Sequence, residues 1–199
     1  MMPDQAEFAS VAPATEASHY AVGLVRAARL RRGDPVLVYG ATGAIGTVAV
    51  QFLAYLGADV TAVCGPEHLE LVRELGVRRV IDRTATDFTR DDRRYRPVLD
   101  AVGKSSFRVC RRLLDPDGVF VSTDLGPNGQ NPLLMLATSW APGRTVSVPI
   151  PPRRDQAQIR RFKELIEAGA FTPVVDRTYR LDGIVEAYRY VESGQKVGT

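Results

Sequence analysis

The chain has 199 residues, of which 45% are hydrophobic and 25% charged, and this suits a globular protein with one buried core. Its formal net charge is only +3 and its arginine pairs are scattered along the sequence, which argues against a nucleic-acid-binding surface. Two cysteines and two histidines show no metal-ligand spacing, and no apolar run reaches the roughly 20 residues that a membrane span needs.

The N-terminal region is predicted to be a flexible tail over residues 1–13, followed by a single domain at residues 14–199. The stretch Met1–Thr15 contains Asp4 and Glu7, and it lacks a basic start followed by an apolar run. Such a run is what a secretory signal requires. We therefore expect a cytoplasmic protein.

Helical and strand patterns alternate along the rest of the chain. Spacing of apolar residues and flanking glycines predict helices at 14–30, 45–56, 66–75, 104–114, 132–139, 155–168 and 182–191. Short apolar runs predict strands at 35–39, 60–64, 79–81, 97–101, 119–122 and Thr145–Ile150. This alternation predicts an α/β fold, a Rossmann-like doubly wound parallel sheet in a three-layer sandwich, with strand order 3-2-1-4-5-6.

A glycine-rich turn joins the first predicted strand to the second helix. It reads Gly40-Ala41-Thr42-Gly43-Ala44-Ile45-Gly46, and we call residues 40–46 the glycine loop. Glycines at this place let the backbone approach a diphosphate, while amides at the helix N-terminus supply partial positive charge. The domain at 14–199 is therefore predicted to bind a dinucleotide. A tight turn without a ligand is the alternative.

The end of the second strand bears on which dinucleotide is bound. That end reads Cys64-Gly65-Pro66 and offers no carboxylate before Glu67, whereas NAD-selective domains place an acidic side chain there. Arg83 follows the third strand, and an arginine binds a 2′-phosphate through charge-assisted hydrogen bonds. We therefore favour NADP(H) over NAD(H). Alternatively, Arg83 pairs with Asp82 or Asp87, and Glu67 turns inward to bind NAD.

Two further turns are predicted to flank the cleft where strands one and four diverge. Residues 100–103 and 122–126 are small or flexible, which suits a flat nicotinamide ring, although ordinary turns have the same composition. Tyr39, Ser122 and Asp124 lie within reach of this cleft, but strand ends and turns favour such residues for structural reasons. The sequence therefore assigns no catalytic residue.

Several segments carry a resemblance to a known family. They are VLVYGATGAIGTVAVQ (36–51), GADVTAVCG (57–65), LELVRELG (69–76), VLDAVGKSSF (98–107), GVFVSTDLGP (118–127) and the stretch 162–198. Together they resemble the medium-chain dehydrogenase/reductase superfamily, specifically its zinc-independent quinone-oxidoreductase-like branch. The resemblance implies hydride transfer between NADP(H) and a quinone, enal, carbonyl or alcohol substrate, without zinc.

The resemblance also implies roles for individual residues. Those expected at the diphosphate are Gly40, Ala41, Gly43, Ala44, Ile45 and Gly46, within the loop that includes Thr42. Cys64 and Arg83 are expected beside the adenosine ribose. Those expected beside the nicotinamide are Val102, Gly103, Ser122, Thr123 and Leu125. Members of the branch usually have a tyrosine where Arg83 stands and a basic or amide residue near His68, so phosphate recognition departs from theirs.

The resemblance covers only part of a typical member. In the family a GroES-like barrel precedes this domain; because only 34 residues precede the first predicted strand, we expect that barrel to be absent here, together with the family's final C-terminal strand. An NADP(H)-binding or interaction module without redox turnover is therefore the second hypothesis. Relatives often dimerise through the edge strand that matches Thr145–Ile150, so we expect a homodimer; Pro149 and Pro151 could instead protect that edge in a monomer.

Overall fold

A computed structural model describes residues 8–140, 142–149 and 156–199 of the chain. Ile150, Pro151 and Asp155, which belong to the predicted edge strand, its flank and the following helix, lie outside these described residues. The same holds for residues 1–7 of the predicted tail.

The core of the protein is a six-stranded parallel sheet with the order β3-β2-β1-β4-β5-β6. Its strands are β1 Pro35–Tyr39, β2 Asp59–Cys64, β3 Arg79–Asp82, β4 Tyr95–Asp100, β5 Leu114–Ser122 and β6 Thr145–Ser147. The predicted Rossmann-like order is confirmed. Because all strands run in one direction, their carboxyl ends meet at one edge of the sheet, where ligands bind in such folds.

Seven α-helices connect and cover the described strands. They are α1 Phe8–Ala27, α2 Ala44–Tyr55, α3 Leu69–Glu74, α4 Phe107–Cys110, α5 Gln130–Ser139, α6 Gln156–Glu167 and α7 Ile184–Glu192. None of the helices in the described part of the chain is both long enough and apolar enough to cross a membrane.

The first helix begins earlier than the sequence predicts. Residues 8–13, assigned to the flexible tail, are helical, and Pro13 lies inside α1. The predicted start at Ala14 rested on the helical spacing of apolar residues further along the chain, which says nothing about the residues before it. The tail prediction is therefore wrong for residues 8–13.

Two other element boundaries differ from the prediction. The helix predicted at 104–114 is reduced to α4 and one 3₁₀ turn, Arg111–Leu113. β5 already begins at Leu114, which pairs with Tyr95 before a register shift at Pro97. β6 ends at Ser147, three residues short of the predicted Ile150.

Hydrophobic side chains pack on both faces of the sheet. Val36 and Val38 of β1 point into a cluster with α1, α2 and α6, whereas Leu37 points into a second cluster on the opposite face. This second cluster includes Cys110 of α4 and is flanked by Leu134 of α5. Alternating side chains along a strand point to opposite faces, so helices on both sides cover the sheet. The predicted three-layer sandwich is confirmed.

Candidate coenzyme-binding site

The candidate site lies where the chain leaves β1 toward α2 and leaves β4 toward α4. Tyr39 and Asp100 are register partners at the carboxyl ends of these two adjacent strands. The glycine loop follows Tyr39, and residues 101–105 follow Asp100, so the two turns face each other across the strand ends. This is the switch point at which doubly wound sheets form a ligand crevice.

Two of the three glycines in the glycine loop are required by the protein itself. Gly40 has φ +80, and a Cβ atom there would lie 2.5 Å from Cγ1 of Val102. A Cβ atom on Gly46 would lie 2.0 Å from the carbonyl oxygen of Gly40. These glycines allow the strand to turn sharply and the helix to pack directly on the turn.

The middle glycine is different, because protein contacts do not exclude a side chain there. Gly43 has φ −71 and ψ 168, which any residue can adopt. A Cβ atom on Gly43 would lie at ordinary contact distances, 3.5 Å from Cγ1 of Val102 and 3.6 Å from the Gly40 carbonyl oxygen. Its position is the N-cap of α2, and no side chain of the described residues caps this helix. Gly43 therefore keeps open a space beside uncapped helix amides.

The remaining residues of the glycine loop serve different purposes. The amides of Ala44, Ile45 and Gly46, the residues predicted to contact a diphosphate, lie in the first turn of α2. Ala41 is fully buried, and its N–H donates to the carbonyl of Val63 at 3.3 Å, so this residue fixes the loop to the sheet.

The C-terminal residues also reach the glycine loop, which the sequence analysis did not anticipate. The N–H of Gly198 donates to the carbonyl of Thr42 at 2.8 Å, and Gly198 forms a parallel bridge with Gly43. Gly198 has φ +64, and a Cβ atom there would lie 2.1 Å from the carbonyl oxygen of Val174. A glycine in the short stretch Gln195–Thr199 was the only sequence signal for this approach.

The turn after β4 is organised by a buried carboxylate that we did not single out from the sequence. Asp100 is fully buried. Its Oδ1 accepts N–H groups from Val102 at 3.1 Å and Gly103 at 2.9 Å, and its Oδ2 accepts the N–H of Ser105 at 2.8 Å. Asp100 thus holds Val102 against the glycine loop. The available signal was an aspartate followed by the short turn Ala101-Val102-Gly103.

The turn after β5 contains the other residues predicted beside the nicotinamide. Ser122 is buried, and its Oγ accepts the N–H of Asp124 at 3.2 Å. The N–H of Thr123 donates to the carbonyl of Asp100 at 3.2 Å, so β5 and β4 remain joined beyond the strands. Leu125 is 59% exposed. Ser122 and Thr123 therefore build the turn, while Leu125 presents an apolar surface.

This turn contacts the opposite wall and the following helix. A Cβ atom on Gly103 would lie 2.5 Å from Cβ of Asp124, so the two turns touch. Asn131 of α5 is fully buried, and its Nδ2 donates to the carbonyl of Asp124 at 2.9 Å. Gly126 likewise leaves room only for the Asn131 side chain. The turn after β5 is therefore held between the turn after β4 on one side and the Asn131 side chain of α5 on the other.

The structure brings Cys64 and Arg83 together at the outer end of the site. The N–H of Arg83 donates to the carbonyl of Cys64 at 3.0 Å, and the Arg83 side chain is exposed. The Cys64 thiol instead points into the core, where burial raises its pKa to about 11, reinforced by the charges of Glu67 and Asp82. Cys64 therefore shapes the site through its backbone and remains a neutral thiol.

The alternative partners of Arg83 are engaged by other groups. Asp82 accepts both the N–H and the hydroxyl of Thr84, at 2.8 and 2.7 Å, and these hydrogen bonds lower the pKa of its carboxyl. The Asp87 carboxylate lies 3.6 Å from Nε of Arg90. The side chain of Glu67 folds over Gly65, where a Cβ atom would lie 2.5 Å from its Oε1. Both an arginine and a carboxylate therefore lie near the carboxyl ends of β2 and β3, where the adenosine ribose is predicted to bind.

No group of three or more histidine, cysteine, aspartate or glutamate residues in the described ranges could hold a metal ion. Cys64 and Cys110 lie in the clusters on opposite faces of the sheet. Cys110 is fully buried, with its Sγ 3.1 Å from Oγ of Ser105, and desolvation raises its pKa to about 11.

Comparison with known proteins identifies the family. A family model described as zinc-binding dehydrogenase matches residues 75–199, so the chain belongs to this family. The predicted resemblance to the quinone-oxidoreductase-like part of the medium-chain dehydrogenase/reductase superfamily is confirmed.

Individual relatives match over different lengths. The chain is 30% identical over 186 residues to NAD(P)H oxidoreductase RTN4IP1, mitochondrial, from Mus musculus, covering 84% of this chain and 47% of that protein. It is 34% identical over 101 residues to trans-enoyl reductase TwmE from Talaromyces wortmannii, covering 47% of this chain and 27% of that protein. A quinone oxidoreductase structure from Pseudomonas syringae pv. Tomato DC3000 has a TM-score of 0.80 at 19% identity, covering 98% of this chain and 65% of that one. The chain thus spans about half the length of RTN4IP1.

Proposed function

We propose that this chain is the coenzyme-binding domain of an NADP(H)-dependent oxidoreductase. The observation that carries the proposal is Gly43, because no protein contact accounts for a glycine there. The space it leaves adjoins the uncapped amides of α2. A coenzyme diphosphate fills such a space and accepts hydrogen bonds from such amides. Val102 and Leu125 offer apolar surface for the nicotinamide ring.

The preference for NADP(H) rests on Arg83. Its side chain is exposed at the end of β3, and its backbone is fixed to Cys64 at the end of β2. The neighbouring carboxylates of Asp82 and Asp87 bind Thr84 and Thr89. A guanidinium in this position matches the geometry of a 2′-phosphate.

Titration with both coenzymes tests binding and selectivity together. We expect saturable binding of NADPH, about tenfold or more tighter than that of NADH. Arg83→Ala should weaken NADPH binding about 10- to 100-fold and leave NADH binding unchanged, because only NADPH carries the 2′-phosphate. Arg90→Ala removes another exposed arginine and is the matched control. Fluorescence titration or calorimetry gives the dissociation constants.

Two outcomes would contradict this assignment. If neither coenzyme binds to the folded protein, the proposed function fails. If Arg83→Ala leaves NADPH binding unchanged while Glu67→Gln selectively weakens NADH binding, the coenzyme is NAD(H), with Glu67 holding the ribose hydroxyl groups.

We propose that the substrate is a quinone, an enal, or a carbonyl or alcohol compound, and that hydride transfer proceeds without zinc. When bound, the coenzyme would supply the hydride to a quinone, enal or carbonyl compound or accept it from an alcohol, while the protein orients the nicotinamide and excludes water. RTN4IP1 is named an NAD(P)H oxidoreductase and TwmE a trans-enoyl reductase, which supports this substrate range. The placement of Cys64 and Cys110 on opposite faces of the sheet supports the zinc-free mechanism, which metal analysis of the purified protein tests.

A binding module without turnover is the second candidate. It is favoured because the three polar side chains near the cleft already make structural contacts. Tyr39 stacks on Phe88 with ring centroids 4.8 Å apart. The hydroxyl of Ser122 and the carboxylate of Asp124 accept backbone N–H groups of their own turn. Each of these residues has a structural role, so none is assigned as a proton donor. NADPH oxidation with a panel of quinones and enals separates the two candidates, since a module binds NADPH without oxidising it.

We also propose a homodimer formed through β6, and a cytoplasmic location. In the described sheet β6 pairs only with β5, which leaves its other edge open. The adjoining helix α5 and its C-cap expose Leu133, Leu136 and Trp140 to 72%, 61% and 85%. An open edge beside exposed apolar side chains favours pairing with a second copy. Both cysteines are free thiols, which agrees with a reducing compartment; cell fractionation tests the location.

Light scattering during gel filtration tests the dimer. We expect the protein to elute with twice its monomer mass of 21.8 kDa. The double variant Leu136→Glu/Trp140→Glu should elute as a monomer, because it places two carboxylates in the apolar contact. Leu181→Glu changes an equally exposed leucine that lies before α7 and should remain dimeric. A monomeric parent protein would instead favour edge protection by prolines such as Pro149.

A further inference from the structure

The segment Lys196–Thr199 runs beside the glycine loop. The N–H of Gly198 donates to the carbonyl of Thr42 at 2.8 Å, and the N–H of Thr199 donates to the carbonyl of Val174 at 2.8 Å. The bridge between Gly198 and Gly43 places the segment next to the N-cap of α2. The segment therefore borders the same space that Gly43 leaves open.

Asp176 anchors this segment. Its Oδ2 accepts the hydroxyl of Tyr190 at 2.6 Å and the N–H of Val197 at 3.2 Å, and its backbone N–H donates to the Thr199 carbonyl at 3.2 Å. The guanidinium of Arg177 lies over the Tyr190 ring, 3.6 Å from its centroid, with Nε 3.6 Å from Oδ1 of Asp176. Both carboxylate oxygens of Asp176 are thus occupied, and the segment is fixed in place.

Lys196 holds its ammonium group within this arrangement. The side chain is half-buried, and Nζ donates to the carbonyl oxygen of Gly198. Across the described ranges, no carboxylate lies within 4.0 Å of Nζ as an ion pair. Because Gly198 also binds Thr42, the ammonium lies within about 9 Å of the Thr42 carbonyl by standard backbone dimensions. A partly dehydrated cation that forms no close ion pair within the described residues therefore lies next to the glycine loop.

We propose that Lys196 binds the coenzyme diphosphate, adding a charged contact to the amides of α2. This proposal rests on the proposed function, since it assigns one more residue to that same site. The ammonium has three donors, of which the Gly198 carbonyl accepts one, so two remain for phosphate oxygens. The long flexible stem of lysine lets the ammonium turn its free donors toward the glycine loop.

The electrostatic situation of Lys196 supports this assignment. Burial lowers the pKa of its ammonium, and the charge of Asp176 only partly offsets that effect. A partly buried cation gains more from an anion than an exposed one does, because less water screens the pair. A diphosphate would therefore stabilise the charged form of Lys196.

The test compares NADPH binding by the parent protein with that of Lys196 variants. Lys196→Met should weaken NADPH binding about tenfold at low ionic strength, and the difference should shrink at 0.5 M salt, because salt screens a charge contact. ADP-ribose, which has the diphosphate but no nicotinamide, should lose about the same factor. Lys196→Arg should retain most of the affinity, since it keeps the cation. Lys163→Met, on α6, is the matched control for loss of one positive charge and should bind like the parent.

Thermal melting of every variant, with Lys196→Gln as a second neutral substitution, separates a loss of binding from a loss of folding. If the parent binds NADPH and the neutral, folded variants bind it equally well, the inference about Lys196 is overturned while the proposed function stands. Equal losses in the methionine and arginine variants would also overturn it, since a merely structural role predicts that result. If the parent binds no coenzyme at all, the proposed function itself fails, and the inference with it.

Discussion

Replacing Gly43 by aspartate should abolish coenzyme binding while leaving the free protein at least as stable as before. Gly43 is the N-cap of α2 with φ −71 and ψ 168, a conformation in which aspartate accepts N–H groups from the second or third helical residue. The new carboxylate would thus bind the amides of Ile45 or Gly46 that the diphosphate needs. It would also place a negative charge against the coenzyme phosphates. We expect the affinity for NADPH to fall at least 100-fold, or about 2.7 kcal/mol.

Gly43→Asp is a demanding test because it should weaken coenzyme binding without lowering the stability of the free protein. An aspartate cap typically stabilises a helix by several tenths of a kcal/mol relative to glycine, so thermal melting should show an equal or higher midpoint. Gly43→Asn is the matched control, because it caps the helix and fills the space without the charge. Its affinity should fall less than that of the aspartate variant. Unchanged NADPH binding by a folded Gly43→Asp protein would show that the diphosphate lies elsewhere.

The order of the sheet could be predicted because its strands are short apolar runs. Val36–Val38 and Val60–Cys64 are continuous buried stretches, which is typical of parallel strands covered on both faces. The glycine loop was equally visible, because Gly40 and Gly46 are dictated by contacts within one strand–turn–helix unit. Local signals of this kind determine the fold class and the shape of the glycine loop.

Features that depend on long-range contacts were missed. The helix predicted at 104–114 is shortened because Asp100 binds the N–H of Ser105 and because Leu114 already pairs with Tyr95 in the sheet. The approach of Gly198 to Thr42 joins residues more than 150 positions apart, and no periodicity reports such a contact. The position of Glu67 over Gly65 depends on a side-chain rotamer. Local spacing therefore predicted the shape of the glycine loop better than the side-chain arrangement at the ends of β2 and β3.

The turn after β4 is held firmly against the glycine loop. The side chain of Val102 lies beside both Gly40 and Gly43. It is held there because the N–H groups of Val102 and Gly103 donate hydrogen bonds to the Asp100 carboxylate. A single buried carboxylate therefore connects the fourth strand, the glycine loop and, through the carbonyl of Asp100, the turn at Thr123. Preorganising a site in this way lowers the ordering cost of ligand binding.

Removing this carboxylate should have the largest effect on stability of any change in the cleft. Asp100→Ala would leave the N–H groups of Val102, Gly103 and Ser105 without their acceptor, and we expect a loss of about 3 kcal/mol in the free energy of unfolding. Asp100→Asn should lose less, about 1–2 kcal/mol, because its amide oxygen can still accept from Val102 and Gly103 while its NH₂ group faces the Ser105 N–H. Urea denaturation gives both values.

The same variants should weaken NADPH binding about tenfold where they remain folded, because Val102 would no longer be fixed beside the glycine loop. Asp117→Ala is the matched control, since that aspartate lies exposed on β5 with an Arg96 contact of 3.3 Å, and its removal should leave the urea midpoint nearly unchanged. A stability loss for Asp100→Ala no greater than that of the control would mean that water replaces the carboxylate at the three N–H groups. The braced turn would then owe its shape to Gly103 and its packing against Asp124, where a Cβ atom would lie only 2.5 Å from the aspartate Cβ.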